Sequence, residues 1–247
     1  MTTLDLNADL GEGVGDDAAM LEIVSSANIA CGGHAGDADT MRAAVRAAKA
    51  RGVIVGAHPG FADRENFGRK RLMLPPEELD ASIREQVRTL VEIAEEEAWP
   101  VHYVKLHGAL ANMAAEEPTV MALCLAAIEG LVQDMAVLAI DNSMQVEIAE
   151  ALGFPTVREA YADRAYQANG LLLSRQMPGA VLHDPAEIAA RAVRLAGQGE
   201  IVAADGTIVR TQARSLCIHG DTPDAVAIAR AVKDALASNG VEIRAAL

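Results

Sequence analysis

Cysteine is scarce in this 247-residue chain: only Cys31, Cys124 and Cys217 occur. Their odd number, wide separation and lack of C-x-x-C spacing argue against a disulfide framework or a structural zinc site, and fit a reducing cytoplasm. Aromatic residues make up 3% of the chain, so any core must be filled by aliphatic side chains and alanine. Positive charge is also short, with 21 Lys and Arg against 35 Asp and Glu, a formal net charge of -14. Such a balance repels phosphate backbones and anionic lipid, which disfavours nucleic-acid and membrane partners. No run of 18 apolar residues occurs, and Met1-Thr2-Thr3-Leu4-Asp5 lacks a basic n-region and an apolar h-region. A soluble, unprocessed protein is expected.

Several catalytic signatures are absent as well. There is no G-x-x-x-x-G-K-[ST] loop, no H-E-x-x-H and no G-x-S-x-G. Gly11-Glu12-Gly13-Val14-Gly15-Asp16 misses G-x-G-x-x-G because Asp16 takes the last glycine position, so ATP binding does not follow from any standard loop.

What is present is an alternation of short apolar or β-branched runs with longer Ala/Leu/Glu/Arg segments of helical period. That is the pattern of β-α units building a parallel sheet. Strands are predicted at Thr3 to Leu10, Ala27 to Gly32, Val53 to His58, Val101 to His107, Val137 to Asp141, Thr156 to Ala160 and Ser215 to His219. A hairpin is predicted around Glu200 to Arg210, turning at Asp205-Gly206. Asp39-Thr40 opens a helix running to Lys49 and stopping at Gly52, Pro75-Pro76 starts another through about Glu97, and Thr222-Pro223-Asp224 starts a final one closing at Asn239-Gly240. No linker or repeat divides the chain, so residues 1–247 read as one β/α barrel of seven or eight strands, TIM-like, with an open doubly wound sheet as the alternative.

Polar, glycine-rich clusters recur where a strand ends and before the next helix begins, the positions that converge on one site in parallel β/α folds. On the first strand, two-residue alternation sets Asp5, Asn7 and Asp9 inward against Leu4, Leu6 and Leu10 outward, with Asp9 and Glu12 at the mouth. Ala30 to Asp37 brings His34 and Asp37, the latter an equal candidate for a helix N-cap. Gly56 to Gly60 carries His58, and Val101 to Leu110 carries Lys105 and His107 on one face. Leu216 to Thr222 ends with His219 and Asp221. Arg69 within Phe67 to Arg71, together with Arg164 and Arg175, supplies possible anion clamps. Cys31 is a possible thiol nucleophile, though a lone strand cysteine suits small packing better.

These segments, taken in order, resemble the LamB/YcsF family. The likeness is carried by Asp5 to Glu12, Ser26 to Asp37 with Asn28, Gly56 to Gly60, Phe67-Gly68-Arg69, Val104 to Asn112, Tyr161 to Arg164, Ser174-Arg175 with Pro178 to Val181, and Cys217 to Thr222. Leu106, Ala111 and Tyr161 depart from the familiar K-P-H-G, A-L-Y and F-A-D-R versions. The resemblance implies a glycoside hydrolase/deacetylase-like barrel and ATP-driven hydrolysis of 5-oxoproline to glutamate in the cytoplasm, with Mg2+ and with separate 5-oxoprolinase subunits B and C as partners. Within that expectation Asp9 or His107 orients water, Glu12, His34, His58, His219 and Asp221 complete the catalytic mouth, and Lys105, Arg69 or Arg164 holds anionic oxygens. Asn7, Asn28, Asp37 and Arg175 join the substrate-binding set. Two other functions fit the residues: a metal-dependent deacetylase-like hydrolase using the His/Asp mouth, and a non-catalytic scaffolding subunit.

Overall fold

A computed structural model describes residues 2–221 and 224–247. Among the described residues ten strands occur: β1 (Thr2–Leu10), β2 (Ser26–Ala30), β3 (Ile54–His58), β4 (Val101–Val104), β5 (Ala136–Ile140), β6 (Thr156–Tyr161), β7 (Glu200–Val202), β8 (Ile208–Arg210), β9 (Ser215–Cys217) and β10 (Val241–Ile243). The helices are α1 (Asp17–Leu21), α2 (Ala38–Lys49), α3 (Pro76–Glu96), α4 (Gly108–Glu116), α5 (Pro118–Ile128), α6 (Met144–Ala151), α7 (Pro185–Gln198) and α8 (Ala225–Ser238). β1 to β6 pair consecutively in parallel, β6 pairs with β9, and β9 returns to β1 with Asp5 opposite Ser215 and Asn7 opposite Cys217. That last pairing closes a parallel seven-stranded barrel and excludes the open sheet.

Alternation along β1 decides which side faces which environment. Leu4, Leu6, Ala8 and Leu10 are buried against the helices, while Asp5, Asn7 and Asp9 point into the barrel and are equally enclosed. α3 covers the outside with Leu79, Ile83, Val87, Leu90 and Ala94, a face repeating at helical spacing. It begins at Pro76 with Glu77 and Glu78 in the first turn, as the sequence suggested. Inside, Tyr103, Ala136, Leu138 and Val157 form a small separate apolar cluster. The barrel interior therefore grades from apolar packing to a polar end.

Boundaries differ from the sequence reading at the active end. β2, β4 and β9 stop at Ala30, Val104 and Cys217, short of Gly32, His107 and His219. The chain keeps bonding across the gap from β4, with Lys105 N donating to Ala57 O and His107 N to Pro59 O, so these residues stay fixed without regular strand geometry. α2 is capped by Asp37 rather than Asp39: the Asp37 carboxylate accepts from Thr40 N while the Thr40 hydroxyl accepts from Asp37 N. The hairpin forms as the antiparallel pair β7 and β8. β10 and α1 had no sequence signal beyond a few residues. The predicted helix start at Thr222-Pro223 lies outside the described residues; α8 begins at Ala225.

Candidate active site

The polar end of the barrel is built around Lys105. Its ammonium, 2% exposed, lies 3.1 Å from Asp9 Oδ1, 2.9 Å from Glu159 Oε1 and 3.2 Å from Asn7 Oδ1. Asn7 Nδ2 donates to Glu159 Oε1 and to Ser215 Oγ, and the Ser215 hydroxyl donates in turn to Asp5. Asn28 Nδ2 donates to Asn7 Oδ1 at 2.7 Å and Asp9 Oδ1 at 2.8 Å, while Tyr103 OH donates to Asn28 Oδ1 at 2.6 Å. The Tyr103 ring takes the space where residue 56 would carry a Cβ, which is why β3 needs Gly56. Burial works to raise the Asp9 pKa, but His58 and Lys105 beside it overcome that and hold the carboxylate well below its usual range. Burial likewise works to neutralise Lys105, and Asp9 with Cys217 and Glu159 raise it well above the usual lysine value. The result is a fixed, buried ion pair.

Above it sits an imidazole cluster. His34 and His107 stack at 3.6 Å between centroids, and His58 meets His107 edge-on at 4.9 Å. His34 Nε2 is 3.0 Å from Glu12 Oε1, His107 Nδ1 is 3.0 Å from His58 Nε2, and His58 Nε2 is 3.5 Å from Asp9 Oδ2. Burial, followed by the His58 charge, pushes His34 down to about 3 and His107 well below the usual histidine value, so both rings are neutral near neutral pH. Burial and then Asp9 push Glu12 up to about 9. The loop over the cluster turns at Phe67 and Gly68, both at positive φ; a Cβ on Gly68 would stand 2.8 Å from His34 Cβ.

On the opposite wall, Asp163 grips His219: Nδ1 lies 2.9 and 3.0 Å from the two carboxylate oxygens. Because a carboxylate accepts here, Nδ1 carries a proton, and in the neutral ring Nε2 presents the lone pair. Tyr161 stacks on this ring at 5.4 Å. Asp9, Cys217 and His219 bring donor atoms within 4.8 Å of one another.

The structure thus gathers Asn7, Asp9, Glu12, Asn28, His34, His58, Lys105, His107 and His219 at one end of the barrel. Five other residues singled out from sequence, Asp37, Arg164, Arg69, Asp221 and Arg175, stand apart. Asp37 is exposed and occupied as the α2 cap. Arg164 is buried and donates to the backbone carbonyls of Ala180 and Leu173, so it braces its own loop. Arg69 pairs with Asp221 at the lip. Arg175 lines an open cleft of about 370 Å³ with Met177, Gly179, His183 and Asp221. Sequence reasoning missed Tyr103 and Glu159. Glu159 sits two residues before Tyr161 on a strand whose alternation would have pointed it inward. Cys31, also a sequence candidate, is buried with its thiol pushed up to about 12 by desolvation, which leaves it protonated and inert.

Comparison with known proteins extends this ordered set of residues. The profile of the LamB/YcsF family matches residues 4–247. The chain belongs to the LamB/YcsF family. It is 46% identical over 249 residues to the 5-oxoprolinase A subunit of Rhodopseudomonas palustris (strain BisB18), covering 98% of both chains. It is 45% identical to the 5-oxoprolinase A subunit of Cutibacterium acnes, covering 100% of both. Among solved structures, the lactam utilization protein of Thermus thermophilus superposes with a TM-score of 0.92 at 41% identity, covering 98% of this chain and 99% of that one. The polysaccharide deacetylase Bc1974 of Bacillus cereus reaches a TM-score of 0.51 at 14% identity, over 100% of this chain and 93% of that one, a likeness of fold alone.

Proposed function

We propose that this LamB/YcsF protein is the A component of an ATP-dependent 5-oxoprolinase, opening the 5-oxoproline lactam to L-glutamate in the cytoplasm together with subunits B and C. The observation that carries the reading is the buried Asp9 carboxylate at the barrel mouth, 3.1 Å from the Lys105 ammonium and 3.5 Å from His58 Nε2. The names of relatives at 45–46% identity over nearly the whole chain support the substrate.

Hydrolysis of a lactam needs three things: a water aimed at the carbonyl carbon, a place for the proton it loses, and a proton for the departing ring nitrogen. Asp9 is the group that orients the water, since Lys105 and His58 keep it charged. His219, turned by Asp163 so that Nε2 is free to accept, takes the proton that the water loses and delivers it to the departing ring nitrogen. Lys105 is engaged by two carboxylates, so its task is to fix the charge of Asp9 rather than to grip substrate. Arg175, which lines the open cleft at the lip, suits the carboxylate of 5-oxoproline.

Lys105, Arg164 and Arg69 are not available to cradle a triphosphate. Lys105 is spent on Asp9 and Glu159, Arg164 on backbone carbonyls and Arg69 on Asp221. In this reading ATP and Mg2+ are bound by a partner protein of the assembled complex, and no step on this chain runs through them. No helix among the described residues is long and apolar enough to cross a membrane. Mixing the purified chain with candidate B and C subunits, then following glutamate and ADP from 5-oxoproline and ATP, tests the reading. Glutamate formation only in the full mixture is expected; ring opening by B and C alone at the same rate would overturn it.

A further inference from the structure

The imidazole cluster contains an arrangement that hydrogen bonding between neutral rings does not satisfy. His58 Nδ1 lies 2.8 Å from the Lys105 carbonyl oxygen, and His107 Nε2 lies 2.9 Å from the Phe67 carbonyl oxygen. A carbonyl only accepts, so each of those nitrogens carries its ring's proton. The remaining nitrogens, His58 Nε2 and His107 Nδ1, are then lone pairs, and they face each other at 3.0 Å with ring planes 86° apart. Both rings are buried, at 1% and 5% exposure, with no bulk water to separate them. Two acceptors at that distance repel unless a cation stands between them, either a proton on His58 Nε2, beside Asp9 at 3.5 Å, or a metal ion in its place.

We propose that His58 Nε2, His107 Nδ1 and the Glu12 carboxylate bind a divalent transition-metal ion of the zinc, cobalt or manganese class, with Asp9 alongside. Glu12 Oε1 is 3.7 Å from His107 Nδ1, and Asp9 Oδ2 is 3.5 Å from His58 Nε2. Donor atoms each about 2.1 Å from one ion stand roughly 3.0–3.4 Å apart, so these spacings need only small closure around a cation. Imidazole nitrogens and carboxylate oxygens suit that class of ion. The backbone carbonyls behind His58 and His107 are the partners that metal-bound imidazoles use to fix tautomer and ring plane. The chain is strained to supply one of them: Phe67, whose carbonyl holds His107, sits at φ 53, a left-handed conformation unusual for an aromatic residue.

His34 has a different part. Its ring lies flat on His107, 5° from parallel at 3.6 Å, so both rings cannot aim an in-plane lone pair at one ion. Its Nε2 instead meets Glu12 Oε1 at 3.0 Å, which makes His34 a positioning residue for the carboxylate. A metal here would face the water that Asp9 orients, yet the inference does not depend on which lactam is opened, because it is read by binding alone.

The test uses the full chain purified without a histidine tag, stripped with chelator, and titrated with Co2+ and with Zn2+. One Co2+ per chain with the visible absorption of a four- or five-coordinate ion is expected. His58→Ala and His107→Ala should each weaken Zn2+ binding by more than about 100-fold, and His34→Ala by about 10- to 100-fold, the range for partners behind a ligand. His102→Ala, at an exposed position on β4, should change nothing. Because the cluster variants could unfold, imidazole nitrogen NMR of the wild-type chain provides an independent reading: Zn2+ should shift His58 Nε2 and His107 Nδ1 while their other nitrogens stay protonated. Absence of stoichiometric binding, affinity that survives loss of both His58 and His107, or a single proton still shared between the two rings at saturating Zn2+ would overturn the proposal.

Discussion

At the scale of the residue, the site rests on a buried lysine flanked by two carboxylates. Taking three charges out of water is tolerable only while they stay paired, because removal of one partner leaves the others uncompensated. Lys105→Met would set Asp9 and Glu159 face to face without their cation. A loss of about 3–5 kcal/mol is expected from urea unfolding, with part of it recovered when Asp9→Asn is added. A loss under about 1 kcal/mol would mean the pair is not closed as described. The thiols behave oppositely. Cys31, Cys124 and Cys217 are all buried, and desolvation raises each pKa, to about 12 for the first two and well above the usual value for Cys217. A thiol reagent such as DTNB should therefore titrate none of the three in the native chain and all three in denaturant. Rapid native labelling of Cys31 would restore it as a nucleophile.

At the scale of the element, the active groups hang from strand ends that are locked by polar clamps. Asp141 follows β5 and accepts from Arg158 on β6, from Thr211 Oγ1 and from the backbone N–H groups of Asn142 and Gln212. Burial works to raise its pKa, but these donors overcome it and leave the carboxylate below its usual value. A group depressed in the folded state stabilises it fully above the unfolded pKa of about 3.9, and that stability disappears as pH falls through the lower folded value. Asp141→Asn should thus be less stable than wild type at pH 7, with the gap closing below about pH 4; a gap that stays constant with pH would refute the linkage.

The same elements show what was legible from sequence. Asp5, Asn7 and Asp9 read correctly as inward because Leu4, Leu6 and Leu10 mark the opposite face by strict alternation. Lys105 and His107 read as a strand continuation because they keep the two-residue period, although regular pairing ends at Val104. Arg164 and Asp37 misled for a shared reason. A charged side chain near a glycine-rich turn looks the same in sequence whether it serves a ligand or its own backbone, and both serve backbone.

At the scale of the whole molecule, closure is the property that sequence could not supply. It depends on β9 returning to β1, a pairing across some 210 residues through a strand of only three residues, too short to carry a periodic signal. Glu159 was missed because its role exists only once β6 lies beside β9 and faces Lys105 across the barrel. With closure in place, side chains from β1, β2, β3 and β6 and from the segments after β1, β2, β4 and β9 share one pocket, and Asp9 is the carboxylate common to its ion pair and its imidazoles.

The most direct measurement is the rate of glutamate formation from 5-oxoproline and ATP by the reconstituted complex carrying Asp9→Asn, a near-isosteric change. Association with the partner subunits is matched to wild type beforehand. A fall in kcat of at least about 100-fold with little change in KM is the expected result, since the loss of the carboxylate that aims the water is felt in the chemical step. Ring opening within a few-fold of wild type would contradict the claim that this pocket carries out the hydrolysis.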